Sequence, residues 1–302
     1  MHLLPTLVPF LSACTGNAVS TRAELAARNG PLRAPSLQPF RELQQDGQPL
    51  LRWLTRRTAC VLDHADTIDI TKGNDDGERR YGGFLDGTLT TTQFGAAAPI
   101  SDDGYFLTAG HCVTQGPVLV LGAAGAGPAR EVAGVVIWRG DPDQRDGDLA
   151  VLFAPGLATP ALAWSTHATP AGTAVLCGGA GTTAVRAAGG TILAGDQVTT
   201  QLADGPAVTT IGVAVPVVPG DSGGPCVLAD GTLLGVTVRA ATGSEPTGTV
   251  LRPDPAWITA LLARDRAARA ATPAAKARLS TAGTMRTMAI DAELEPLLPK
   301  AR

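Results

Sequence analysis

Between about residues 81 and 252 the chain repeats one pattern: a short apolar run, then residues that turn the backbone. "EVAGVVIW" (131–138), "LAVLFAP" (149–155) and "TAVLCGG" (173–179) are rich in Val, Leu and Ala. Runs of this length between Gly, Pro and Asp predict strands. "CVLADGTLLGVTV" (226–238) places Asp230-Gly231 between two apolar runs, a hairpin signal. "AVRAAGGTILAG" (184–195) predicts a second hairpin at Gly189-Gly190. The pattern then changes. Asp254 is a predicted N-cap and Pro255 a first helical residue, and Trp257, Ile258, Leu261 and Leu262 form one apolar face. That is a single helix closing an all-β domain.

The ends of the chain differ from this middle. Leu50, Leu51, Leu54, Val61 and Leu62 follow Pro49 at helical spacing, and Thr21 with Glu24 offers a capping box. Polar "TKGNDDGERR" (71–80) reads as a linker. "MHLLPTLVPFLSACTG" (1–16) is an apolar run ending in small residues, too short to cross a bilayer. It reads as a signal-peptide core, although only His2 stands where a basic residue is usual. "LSAC" resembles the lipobox of bacterial lipoproteins, so lipidation of Cys14 and anchoring at the cell envelope are one expectation, and plain export another. The expected organisation is a leader (1–14), a partly helical N-terminal segment or pro-region (15–80), an all-β domain (81–263) and an Ala/Arg-rich tail, helical or disordered (264–302).

Composition narrows the function classes. Gly (36) and Pro (23) are abundant enough to supply tight turns for many strands. A net charge of −3 with scattered basic residues argues against a nucleic-acid partner. None of the five cysteines (Cys14, Cys60, Cys112, Cys177 and Cys226) forms a C-x-x-C pair, which argues against structural zinc. No metal or cofactor is expected.

The candidate chemistry centres on "VVPGDSGGPC" (217–226), where Ser222 stands among Gly220, Gly223 and Gly224. A serine hydroxyl needs a base, and the base needs a group that fixes its tautomer. Of four histidines, His2 falls in the leader, His64 in the N-terminal segment and His167 in a polar loop. His111 ends an apolar strand in "YFLTAGHCVTQ", with Ala109 and Gly110 leaving room around it. A histidine in an ordinary turn is the alternative reading. Asp148 immediately precedes the run "LAVLF", at the edge of a core, either as the orienting acid or as a cap for backbone N–H groups. Asp141, Asp143 and Asp146 are expected in solvent. The N–H groups of Gly220 and Ser222 can converge on one point and hold an oxyanion.

In that order, "LTAGHC" (107–112), "DLAVL" (148–152) and "GDSGGP" (220–225) closely resemble the three signature segments of chymotrypsin-like (trypsin-fold) serine proteases of bacterial type. The "WITALL" helix resembles the one that ends that fold. An α/β-hydrolase would instead carry G-x-S-x-G with histidine after serine. The resemblance spans roughly residues 81–263. It implies two six-stranded antiparallel β-barrels and a serine endopeptidase acting on protein or peptide substrates through an acyl-enzyme. Ser222 is the implied nucleophile, His111 the base and Asp148 its orienting acid, with Gly220 and Ser222 as the oxyanion hole. Pro216, Val238, Arg239, Ala240 and Gly248 are the implied substrate-pocket residues, with Thr237 on the same wall. Pro216 stands where trypsin-like members carry Asp, so a small or apolar side chain is expected there.

Two departures from the family bear on activation. Asp221 is a structural ion-pair partner in the family, often of an α-amino group released by cleavage after a basic residue. This chain offers only "ERRYGGF", with cleavage after Arg80, or an internal arginine, for which Arg186 is a candidate. The resemblance further implies a bridge between neighbouring strands near Cys177 and Cys226, while Cys112 is either free or paired with Cys60. A non-catalytic binding protein on the same fold is the competing function. It would follow if Asp221 lacked a partner.

Overall fold

The computed structural model describes residues 37–63, 94–114, 118–123, 129–157, 159–180, 185–195, 197–240 and 247–271. Two antiparallel β units carry the chain. The first is a closed six-stranded barrel of β3 (Ala59–Leu62), β4 (Phe94–Pro99), β5 (Tyr105–Thr108), β6 (Val118–Ala123), β7 (Ala129–Arg139) and β8 (Ala150–Phe153), in the order β3-β4-β5-β8-β7-β6. All four residues of β5 and of β8 are buried, which is why both read as unbroken apolar runs without alternation. A bulge in the pairing of β7 with β8, between Val136 and Trp138, bends the long strand β7 round the barrel.

The second unit holds β9 (Ala174–Gly179), β10 (Arg186–Thr191), β11 (Val198–Gln201), β12 (Ala207–Val213), β13 (Pro225–Leu228), β14 (Leu233–Ala240) and β15 (Gly248–Pro253). Their order is β10-β9-β13-β14-β15-β12-β11. The sheet curls until its β10 side meets β12. Ile192 bridges Val213, the Leu193 N–H donates to Gly212 O at 2.9 Å, and the Ala214 N–H donates to Thr191 O at 2.8 Å. Six strands thus close a second ring around Val175, Ile192, Ile211, Val213, Cys226 and Val250, and β11 hangs outside it on β12.

The chain before β3 belongs to the folded core. Helix α1 (Gln38–Glu42), the hairpin β1 (Gln44–Gln45) with β2 (Gln48–Pro49), and helix α2 (Leu50–Thr55) precede it. The hairpin turns at Asp46-Gly47 with φ of +50° and +74°, as a two-residue turn with both centres left-handed requires. Leu50, Trp53 and Leu54 are buried in the main core, and Phe40 packs against Gly189 of β10. Helix α3 (Pro255–Ala271) ends the described chain, with the Ala256 N–H donating to Asp254 Oδ1 at 2.9 Å as its N-cap bond.

Three expectations change. Val61 and Leu62 lie in a strand and not a helix, because α2 stops at Thr55 and residues 59–62 complete the first barrel. The barrel therefore starts before residue 81, and residues 38–62 pack as part of the fold. Gly189 and Gly190 sit inside β10. They mark close approach and not a turn, since side chains there would strike Phe40 and the Ala214 carbonyl respectively. The closing helix continues to Ala271, so the first residues of the tail expected to be helical or disordered are helical. Cys14, the Thr21–Glu24 box, the 71–80 linker, Arg80 and residues 272–302 lie outside the described residues.

Candidate active site

Strand β5 delivers His111. After Thr108 the chain enters a 3₁₀ turn, Gly110–Cys112. A side chain at 110 would press on the backbone of Asp148 and Leu149, so glycine lets this turn meet the approach to β8. Asp148, 1% exposed, accepts the His111 backbone N–H at Oδ1 and the His111 ring at Oδ2, each at 2.8 Å. A carboxylate only accepts hydrogen bonds, so Nδ1 carries the proton and the Nε2 lone pair points away from Asp148. Burying this charge is tolerable because two N–H groups satisfy it. Arg139 Nε donates to the Gly110 carbonyl at 2.9 Å and braces the turn from behind.

The second barrel delivers Ser222 on a tight turn. The Asp221 N–H donates to Val218 O at 3.0 Å and the Gly224 N–H to Asp221 O at 2.9 Å, with φ of +90° at Gly220 and +84° at Gly223. The turn docks on the first barrel: the Ser222 carbonyl accepts the Ala96 N–H at 2.7 Å and the Cys112 thiol at 3.6 Å. Ser222 therefore lies beside the residue that follows His111. The glycines are required by this docking. A side chain at Gly223 would overlap the Ala96 carbonyl and the Thr108 hydroxyl, and one at Gly224 would overlap the Gly178 carbonyl. Ser222 Oγ donates to the Val238 carbonyl at 3.4 Å rather than to His111 Nε2. Among the described residues the N–H groups of Gly220 and Ser222 have no acceptor.

Asp221 finds its partner on β10. Arg186 Nε reaches both carboxylate oxygens, at 3.0 and 3.1 Å, and Nη2 also pairs with Oδ2. The Val218 N–H donates to the same carboxylate at 3.0 Å, and Arg186 Nη2 caps the Pro216 carbonyl at 2.7 Å. Glycine is enforced at 179, where a side chain would run into the Asp221 carboxylate.

The expected pocket residues lie on adjoining backbone. Val238 sits at the bulge between β14 and β15, Arg239 pairs with Thr249 and Ala240 with Gly248, while Pro216 follows β12. Thr237 is fully buried, and its hydroxyl has no hydrogen-bond partner.

The expected disulfide is absent. Cys177 and Cys226 are register partners on β9 and β13, and their side chains are hydrogen-bonded, but both are free thiols. Burial, followed by the neighbouring thiol, pushes Cys226 well above the usual thiol range. That disfavours the thiolate from which a bridge is made. Cys60 and Cys112 are free as well. Burial pushes Cys60 up to about 12 and raises Cys112 further.

The sequence reading also misplaced Asp146. It is not a solvated turn residue but accepts hydrogen bonds from Thr200 and Thr210 of the second barrel. Arg139 was missed altogether, and nothing in its local sequence distinguishes it. Among the described residues no three His, Cys, Asp or Glu gather as a metal site, and no helix is long and apolar enough to cross a membrane.

Residues 95–236 match the family model of the trypsin-like peptidase domain, a span that includes His111, Asp148 and Ser222. Among solved structures, the active form of the Rv3671c protease from M. tuberculosis is similar, with a TM-score of 0.54 and 18% identity over 86% of this chain and 93% of that one. An inactive form of the Rv3671c protease gives a TM-score of 0.51 and 20% identity over 78% of this chain and 98% of that one. At such identities the likeness speaks for the fold. No curated protein matches the chain in sequence.

Proposed function

We propose that the chain, whose residues 95–236 match the trypsin-like peptidase domain, is a serine endopeptidase of bacterial type that hydrolyses peptide bonds through a Ser222–His111–Asp148 triad and an acyl-enzyme. The observation that carries this reading is the two-point grip of Asp148 on His111, which leaves Nε2 free to accept a proton. Ser222 Oγ attacks the scissile carbonyl as its proton passes to His111 Nε2. The imidazolium so formed is stabilised by Asp148 and donates the proton to the leaving amine. The freed N–H groups of Gly220 and Ser222 take the oxyanion, and each such donor is worth about 2.7–4 kcal/mol of barrier. Water then attacks the acyl-enzyme by the same route in reverse.

Activation follows from Arg186. With its guanidinium on Asp221, the oxyanion turn needs no new α-amino group, so the uncut chain is competent. Pro216, at the position the family resemblance assigns to the base of the substrate pocket, supports a preference for a small or apolar side chain in the protein or peptide substrate. The apolar leader supports export, with Cys14 as the lipidation site. A fluorophosphonate probe tests the core of the reading on the intact protein from Thr15 onward. Labelling that disappears in both Ser222→Ala and His111→Ala is expected. Failure of the uncut protein to label, with labelling after cleavage near Arg80, would overturn the activation reading. Failure under both conditions would favour a non-catalytic binding protein.

A further inference from the structure

The loop that carries Asp148 is fastened to the opposite barrel by a second carboxylate. Asp146 lies two residues earlier, in the 3₁₀ turn Arg145–Gly147. It accepts one hydrogen bond at each oxygen: Thr210 Oγ1 donates to Oδ1 at 2.6 Å and Thr200 Oγ1 to Oδ2 at 2.7 Å. Thr200 is on β11 and Thr210 on β12. In the ladder Thr200 faces Val208 and Val198 faces Thr210, which makes the two threonines diagonal neighbours on one face of the sheet. Their hydroxyls form a fork that takes a single carboxylate.

This fork bridges the two halves of the site. His111 and Asp148 come from the first barrel, and Ser222 from the second. The loop's backbone bonds stay within its own barrel: the Gly147 N–H donates to Gln144 O and the Gly140 N–H to Leu149 O, each at 2.9 Å. Among the described residues, the side-chain hydrogen bonds joining this loop to the second barrel are the two on Asp146. Bonds from neutral donors to a carboxylate are among the stronger ones, and a pair fixes orientation as well as distance.

We propose that Asp146, clamped by Thr200 and Thr210, is a positioning residue that sets the Asp148–His111 pair in line with Ser222. This rests on the triad reading above. Asp146 touches neither substrate nor reacting atoms and acts through Asp148. The sensitivity is high, because a displacement of about 1 Å between reacting groups costs about 10²-fold in rate.

The test uses the full chain in five forms: wild type, Asp146→Ala, Asp146→Asn, the pair Thr200→Val with Thr210→Val, and the pair Thr200→Ser with Thr210→Ser. Each is titrated with a fluorophosphonate so that kcat and KM on a peptide substrate are expressed per labelled site. The downfield proton resonance of the His111–Asp148 hydrogen bond is recorded alongside. Asp146→Ala and the double valine variant are expected to lose about 10- to 100-fold in kcat, with KM changed by less than about threefold, and to broaden or shift that resonance. Asp146→Asn and the double serine variant should keep kcat near wild type. An amide can accept from one hydroxyl and donate to the other, and serine retains the fork. Should Asp146→Ala fail to fold, the valine pair decides, because valine suits both strands. Unchanged kcat per site with an unchanged resonance in the valine pair would overturn the proposal, as would an equal loss in the serine pair. A wild type that is not labelled at Ser222 would instead remove the triad reading, and the proposal with it.

Discussion

Arg186→Met should disable the oxyanion turn and destabilise the fold together. In the wild type, Asp221 is 6% exposed and receives Arg186 through both Nε and Nη2, with one further donor at Val218. Methionine keeps the aliphatic bulk but leaves a buried carboxylate with a single N–H. Breaking a buried pair by removing one partner costs about 3–5 kcal/mol. The Arg186 side chain is 30% exposed, so water repays part of the loss and about 3 kcal/mol is the better figure. With a urea m-value of about 2–3 kcal/mol per molar, the midpoint falls by about 1–1.5 M. Labelling of Ser222 should fall with it, because Asp221 sits between Gly220 and Ser222, the two proposed oxyanion donors. The control is Arg186→Met with Asp221→Asn, which removes both charges and should regain about 2 kcal/mol or more. Urea unfolding of these three proteins and of Asp221→Asn alone gives the coupling energy directly. A single variant within about 0.5 kcal/mol of wild type, labelled at the wild-type rate, would refute the argument. Asp221 would then depend on some other cation.

Three more outcomes can be checked. Asp148→Asn should fold and bind substrate yet lose about 10⁴-fold in kcat, since an amide presents an N–H where the ring needs an acceptor and so selects the wrong tautomer; steady-state kinetics on the titrated enzyme measures it. Tyr105, buried and donating to Asp265 at 2.7 Å, holds its proton well above the usual phenol range because of burial and then the hydrogen bond to that carboxylate. The unfolded chain loses this proton near pH 10, so the folded state binds it more tightly and stability should fall as pH rises beyond about 10. Tyr105→Phe should show about 1.5 kcal/mol lower stability at neutral pH and lack that alkaline loss in denaturation series. Native alkylation of Cys60, pushed up to about 12, should run roughly 10³-fold slower at pH 8 than that of a free thiol, by mass spectrometry before and after unfolding.

The three residues of the proposed triad stood out in the sequence because each sits in a local pattern with a physical purpose. His111 ends an apolar strand, Asp148 precedes one, and Ser222 is bracketed by glycines. The hairpin at Asp230-Gly231 was equally plain, and Gly231 adopts φ of +82°. The misreadings share one cause: their explanation lies far away in sequence. Gly189-Gly190 looks like a turn until Phe40 and Ala214 arrive. Val61 and Leu62 look helical until β4 and β6 pair with them. Asp146 looks solvated until strands more than fifty residues later bring two hydroxyls to it. Arg186 could be named only as a candidate, because pairing it with Asp221 needs the register of β10 on β9, which places Arg186 opposite Gly179, the residue that leaves room for the carboxylate.

The proposed catalytic apparatus, split between two barrels, needs the barrels fixed to each other, and three of their ties act at different distances from the chemistry. The nearest is the Ala96 N–H on the Ser222 carbonyl, which cannot be altered by a side-chain substitution. The second is the Asp146 fork. The third is helix α3, which leaves the second barrel and straps the first. Asp265 accepts from Tyr105, Arg266 forks onto Asp103, Arg269 lies 4.2 Å from the Phe153 ring centroid, and Trp257 packs on Trp138. The strap grips strands β5 and β8, the same two that deliver His111 and Asp148. The Arg266–Asp103 pair is half exposed at both ends, so it contributes little energy. The buried Tyr105 hydroxyl and the two tryptophans carry the grip. Loosening the strap should therefore lower global stability before it lowers kcat per site, whereas loosening the fork should do the reverse.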